Sequence, residues 1–123
     1  MKKLAFLAVA VFFGSSVLVS MQPEWFEFVH GVPGRDKLIH FLGAGLLSVF
    51  MVTGCSPVVV RTRTYGPFSM LVAIALLVTI EEFGQIALPS RTFDLTDLGC
   101  SYVGIAVFGL SAIWLKRIQA SAR

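Results

Sequence analysis

The stretch that decides the fold is Pro67-Phe68-Ser69-Met70-Leu71-Val72-Ala73-Ile74-Ala75-Leu76-Leu77-Val78-Thr79-Ile80-Glu81-Glu82-Phe83-Gly84-Gln85-Ile86-Ala87-Leu88. It is apolar for nearly its whole length and then carries two adjacent carboxylates and an amide. Roughly 20 apolar residues suffice to cross a bilayer as a helix, so the stretch predicts a transmembrane span. A charged side chain inside a span costs on the order of 3 kcal/mol on insertion scales. Carboxylates placed there therefore face a bundle interior and mark a functional site as the first hypothesis.

Three more apolar runs flank this one: Leu4–Met21, Leu38–Gly54 and Leu98–Leu115. The 123 residues are 56% hydrophobic and only 14% charged, with a mean hydropathy of +0.83. A soluble domain carries about 25% charge. The expectation is all-α: a single integral membrane domain over residues 1–123, with four helices at about 4–21, 38–54, 67–88 and 98–115. The connections are too short for a soluble domain, so any chemistry sits in the helices and their short loops.

Charge distribution sets the expected orientation. Lys2, Lys3, Arg61, Arg63, Lys116, Arg117 and Arg123 share one side of a four-span bundle, and Arg35, Lys37 and Arg91 share the other. The positive-inside rule puts the first group in the cytoplasm, with both termini there. All acidic residues lie on or near the opposite side. The basic residues are scattered and explained by topology, so no nucleic-acid partner is expected; the bilayer is the primary partner. Met1-Lys2-Lys3 and the apolar run after it also resemble a signal peptide. Cleavage after Ser20 would put Leu18 where a small residue is wanted, so an uncleaved first span is expected.

Between the spans, Trp25, Phe26 and Phe28 suit the headgroup level. Pro33-Gly34 signals a turn, and Asp36 can cap the second helix. Ser56–Gly66 reads as a basic turn, and Pro67 suits the first turn of the third helix. Pro89 ends that helix. Asp94 or Thr96 opens the fourth, where Asp94 and Asp97 have the spacing of a capping box. Cys55 and Cys100 read as small packing residues. Gly43, Ala44 and Gly45, and Gly99, Ser101, Gly104 and Gly109, allow close helix approach.

The polar residues fall into one constellation. His40 lies about one turn inside the second span, with Asp36 four residues before it on the same face. Glu81 and Glu82 lie roughly 9–10 Å below the outer end of the third span at 1.5 Å per residue. Adjacent glutamates point about 100° apart on a helix, so one lines the interior. His40, Glu82 and Asp97 are the candidate catalytic groups for acid–base work. Lys37, Gln85 and Arg91 are the candidate substrate-binding groups, because an arginine fork fits a carboxylate or phosphate. Asp36, Asp94 and Ser101 support them. The bland alternative is a buried polar clamp between helices. One histidine among carboxylates is a weak zinc signal and would suit a hard cation better. No metal and no cofactor are assigned.

Asp36-Lys37-x-x-His40-Phe41, then Glu82-x-x-Gln85, Pro89-x-Arg91-x-x-Asp94-x-x-Asp97 and Gly104, resemble the VanZ-like family of membrane proteins. The resemblance covers roughly Asp36 to Gly109. It implies a multi-pass protein of the bacterial cytoplasmic membrane whose polar positions are Asp36, Lys37, His40, Glu82, Gln85, Arg91 and Asp97. The namesake is associated with low-level resistance to the glycopeptide teicoplanin; the resemblance implies no particular reaction. Ser101 stands where an asparagine is expected, and Glu81 is an addition to the pattern. Three functions fit: an enzyme acting on an anionic envelope lipid or lipid-linked glycan at the outer face of the membrane, a binding or shielding protein using the same pocket, and a structural protein whose polar residues lock helices. A homo-oligomer is compatible with each. A single copy leaves little room for a transporter's alternating access.

Overall fold

The structure, a computed structural model, describes residues 2–22, 24, 27–28, 31–55, 58–60, 63–87 and 93–123. The expectations for Trp25, Phe26, Pro89 and Arg91 lie outside them.

The chain is mostly helical. Helix α1 covers Lys2–Met21, α2 Arg35–Cys55 and α3 Pro67–Gly84. A 3-10 turn at Gln85–Ala87 continues α3. Helix α4 runs over Leu95–Ser121, with a π-helical segment at Ile105–Gly109 inside it. Three helical segments are long and apolar enough to cross a membrane: Arg35–Gly54, Pro67–Ala87 and Leu95–Ser121. In α1 the apolar stretch Phe6–Ser15 is shorter.

The helix boundaries have local causes. Gly34, at φ 83°, turns the chain into α2, a conformation that favours glycine. Arg35 anchors that turn by donating to the Phe28 carbonyl at 2.6 Å while its guanidinium lies 4.6 Å from the Phe28 ring centre. Pro67 starts α3 as expected, behind Gly66. Asp94 caps α4 by accepting the Thr96 N–H at 2.8 Å. Both α2 and α4 begin three residues earlier than their apolar runs, because these turns and caps act before the hydrophobicity does. At 27 residues, α4 is also longer than its run, about 40 Å at 1.5 Å per residue.

One element departs from the all-α expectation. Val58–Val60 and Arg63–Tyr65 form an antiparallel two-stranded hairpin, with Val58 opposite Tyr65 and Val60 opposite Arg63. The basic connection between α2 and α3 is thus a short β-hairpin rather than a plain turn. Its β-branched and aromatic residues suit strands.

The core lies between α2, α3 and α4. Ala44, Leu47 and Val52 meet Leu71, Ile74 and Val78, and Ile105, Ala112 and Ile113 close the third side. α2 packs most extensively on α4. Gly104 sits against the Phe41 backbone, where an added Cβ would collide with the Phe41 carbonyl oxygen. Gly45 likewise admits the Phe108 ring, which stands edge-on to Phe41 at 5.5 Å. Helix α1 packs on α2, with Phe12 seated over Gly43.

The exposed faces are apolar along the helices. Phe68, Leu76, Ile80, Phe83, Val103 and Trp114 all point outward, while the fully buried positions include Ser48, Glu82 and Ser101. An apolar exterior with the few buried polar groups turned inward is the arrangement of a helix bundle in lipid, where each polar group needs a protein partner.

Candidate functional site

The site is built where the buried stripes of three helices turn polar at the same end of the bundle. On α3 the stripe Leu71, Ile74, Val78 continues into Glu82 and then Gln85. On α4 it begins with Asp97 and Ser101. On α2 it begins with Lys37 and His40, ahead of Ala44 and Ser48. At this end Phe83 of α3 and Phe93, two residues before α4, stack at 5.0 Å.

Asp97 is the hub. Its Oδ2 lies 3.7 Å from His40 Nε2, and its Oδ1 accepts from Lys37 Nζ at 3.3 Å. The same ammonium donates to Asp94 Oδ2 at 3.4 Å and lies 3.6 Å from Asp36 Oδ2. On its other side, His40 Nδ1 is 3.5 Å from Ser101 Oγ. Asp97 and Ser101 are four residues apart, so one face of α4 brackets the imidazole. The sequence assigned Asp36 to hold His40. The structure adds Asp97 at that ring and sets Asp36 beside Lys37.

Glu82 is only 1% exposed. Its Oε1 accepts the Asp94 backbone N–H at 3.2 Å, which ties α3 to the cap of α4. Glu81 Oε1 accepts from Gln85 Nε2 at 2.6 Å. His40, Glu81 and Glu82 each present a ligand atom, all within 4.8 Å of one another, and so do Asp36, Asp94 and Asp97. At the edge of the site the Thr79 and Tyr102 hydroxyls share a hydrogen bond. Asp94 lies just outside the spanning segment. The Thr96 N–H holds its carboxyl below the usual carboxylate range, with Lys37 acting in the same direction.

The structure thus brings together Asp36, Lys37, His40, Glu82, Asp94, Asp97 and Ser101 directly, with Gln85 joined through Glu81. Arg91 is outside the described residues. Lys37, expected to bind substrate, is shared among three carboxylates. Ser101 serves with a hydroxyl where an asparagine was expected. Glu81, left outside the site by the sequence reading, belongs to it. The signal was its i, i+4 spacing to Gln85.

From Lys37 an open groove of about 540 Å³ runs along the α2–α4 seam, lined by Leu38, Phe41, Thr96, Gly99, Cys100 and Val103.

No protein-family model, curated protein or solved structure matches the chain.

Proposed function

We propose that this chain is a VanZ-like membrane protein of the bacterial cytoplasmic membrane, with four spans, both termini inside and the polar site at the outer face. There it binds, and acts on, an envelope lipid or lipid-linked glycan. Residue order and spacing support the family reading, and the split of basic residues supports the orientation. The observation that carries the function is the groove that starts at Lys37. An acyl or polyprenyl chain lies along Leu38, Phe41 and Val103, which puts its headgroup at Lys37, the groove residue that contacts Asp97.

The charge of the site narrows the headgroup. Asp36, Glu81, Glu82, Asp94 and Asp97 surround one lysine and one histidine, and the lysine is already shared. Such a cluster hydrogen-bonds hydroxyl and amine groups better than it holds a bare phosphate, which favours a glycan-bearing lipid. Arg91, next in the motif, is the group for an attached phosphate. His40, bracketed by Asp97 and Ser101, is the group that moves a proton, with Glu82 as its partner in acid–base work. The same contacts also suit a helix clamp, so the test separates the two.

Native mass spectrometry of protein extracted with its lipids should find a co-purifying glycolipid or polyprenyl-type lipid, and Val103→Trp, which fills the groove, should lose it. A wild-type protein that emerges without lipid would overturn the reading. In cells, with teicoplanin susceptibility as the phenotype the resemblance suggests, His40→Ala and Glu82→Gln should each abolish function at normal abundance. Loss of abundance together with function would leave only the clamp.

A further inference from the structure

Glu81 moves no proton in the proposed function, yet it belongs to one of two clusters of possible metal ligands among the described residues, the one that includes an imidazole. One nitrogen ligand and two carboxylates come from α2 and α3, with all three ligand atoms within 4.8 Å of one another. Three ligand atoms bound at about 2.0–2.2 Å around one ion lie about 3.3–3.8 Å apart. The set therefore closes on an ion with shifts of up to about 1 Å, within reach of glutamate rotamer adjustment.

Each of the three side chains is also steadied by a group outside the trio. Asp97 stands 3.7 Å from His40 Nε2 and Ser101 Oγ 3.5 Å from Nδ1, so an ion at either nitrogen would replace one of these long contacts and keep the other. Gln85 holds Oε1 of Glu81, and the Asp94 N–H holds Oε1 of Glu82. Metal-bound histidines and carboxylates have such outer partners, which orient the ligand atoms. The second trio, Asp36, Asp94 and Asp97, serves as an internal control. There the Lys37 ammonium lies 3.3–3.6 Å from all three carboxylates, so the protein's own cation takes the place an ion would have. At the first trio, two consecutive carboxylates share a low-dielectric end of the bundle with an imidazole.

We propose that His40, Glu81 and Glu82 bind a first-row divalent cation. From the sequence, one histidine among carboxylates suits a hard cation better than zinc. Among such ions Mn2+ takes an imidazole nitrogen beside carboxylate oxygens more readily than Mg2+ or Ca2+, so Mn2+ is the first expectation. The proposal goes beyond the lipid reading and does not need it, since the ion binds with the groove empty. A bound ion would take His40 and Glu82 as ligands and would supply Lewis acidity in place of the acid–base role proposed for them above.

The test uses the full chain in nonionic detergent, stripped by a chelator and titrated with Mn2+ under electron paramagnetic resonance. One equivalent should bind per chain, with nitrogen hyperfine coupling from an imidazole. His40→Gln should remove that coupling. Glu81→Gln, at a half-buried position the fold tolerates more readily than Glu82, should weaken binding about tenfold or more. Asp36→Asn, in the lysine-filled trio, should change neither. Failure of the folded wild type to bind, coupling that persists in His40→Gln, or binding lost in Asp36→Asn but kept in Glu81→Gln would each overturn the proposal. So would an ion gained only in Arg91→Gln, which would mean that the guanidinium fills the space. Lipid co-purification is a separate readout, so the metal and the lipid proposals fail independently.

Discussion

The two ends of the three-helix core use the same faces of the same helices for opposite purposes. Through Leu71, Ile74 and Val78, the buried face of α3 joins an apolar cluster with residues of α2 and α4. One and two turns further on, the same face carries Glu82 and Gln85. At the hairpin end the polar contacts are end-caps, such as Lys116 Nζ donating to the Val52 carbonyl at 3.1 Å near the C-terminus of α2. At the other end they join three helices through side chains. In lipid, apolar burial supplies little association energy, because the tails are as apolar as leucine. The apolar end is therefore held by fit, and the polar end by charge and hydrogen bonds.

The sharpest way to break that comparison is Asp97→Ala. It removes the hub that holds His40 and faces Lys37, and losing one member of a largely buried charged set costs about 3 kcal/mol. Thermal unfolding in detergent should show it, and Asp97→Asn, which keeps the shape, should lose less. An unchanged melting temperature would mean the polar end contributes nothing to the fold.

Gly104→Ala tests the boundary between the two regions. A methyl group there meets the Phe41 carbonyl, which is backbone and cannot swing aside, so overpacking should cost about 2 kcal/mol. The same melting experiment reads it, and loss of the groove lipid should accompany it.

Ile74→Ala tests the apolar end alone. Ile74 is 1% exposed. The cavity term remains in lipid while most of the transfer term vanishes, so about 2 kcal/mol or slightly less is expected. Function per folded molecule should be unchanged. A variant that keeps its stability but loses function would show that the apolar end is part of the site.

The smallest effect belongs to Asp94→Ala, which removes the α4 cap at about 1 kcal/mol. Because the folded-state pKa of Asp94 is depressed, its contribution is complete above the unfolded-state value and disappears as pH falls through the folded value. The stability gap between wild type and Asp94→Ala should be full at neutral pH and close on acidification. A gap that widened in acid would contradict the assignment.

Much of this was legible in the chain. Apolar runs placed the three long helices, and glycines marked the seams where Phe41 and Phe108 make close approaches. What hydropathy could not see were the ends. Arg35 and Leu95 begin helices because of Gly34 and Asp94. Lys116–Ser121 continues α4 because a helix outside the apolar layer needs no apolar residues. The Val58–Val60 strand had a signal in its β-branched run, but a run of three is too short to separate from a turn. At the site, spacing along one helix pointed from His40 to Asp36. The Asp97 contact joins α2 to α4, and no periodicity within one segment encodes a meeting between two. Glu81 was discounted because neighbouring residues diverge on a helix. That holds for Cα–Cβ directions, yet a long side chain at a half-buried position still reaches inward.

The contact of Gly104 with the Phe41 carbonyl has a mechanical consequence. Where two rods touch most closely, any rocking of one on the other turns about that point, and displacements grow with distance from it. His40 is the residue before Phe41, and Ser101 is three residues from Gly104. The imidazole and its bracket therefore sit next to the pivot, where a tilt of α4 changes distances least, while the far ends near Lys116 and the hairpin swing most. Any tilt of α4 on α2 about that contact would leave the few ångströms around His40 in register.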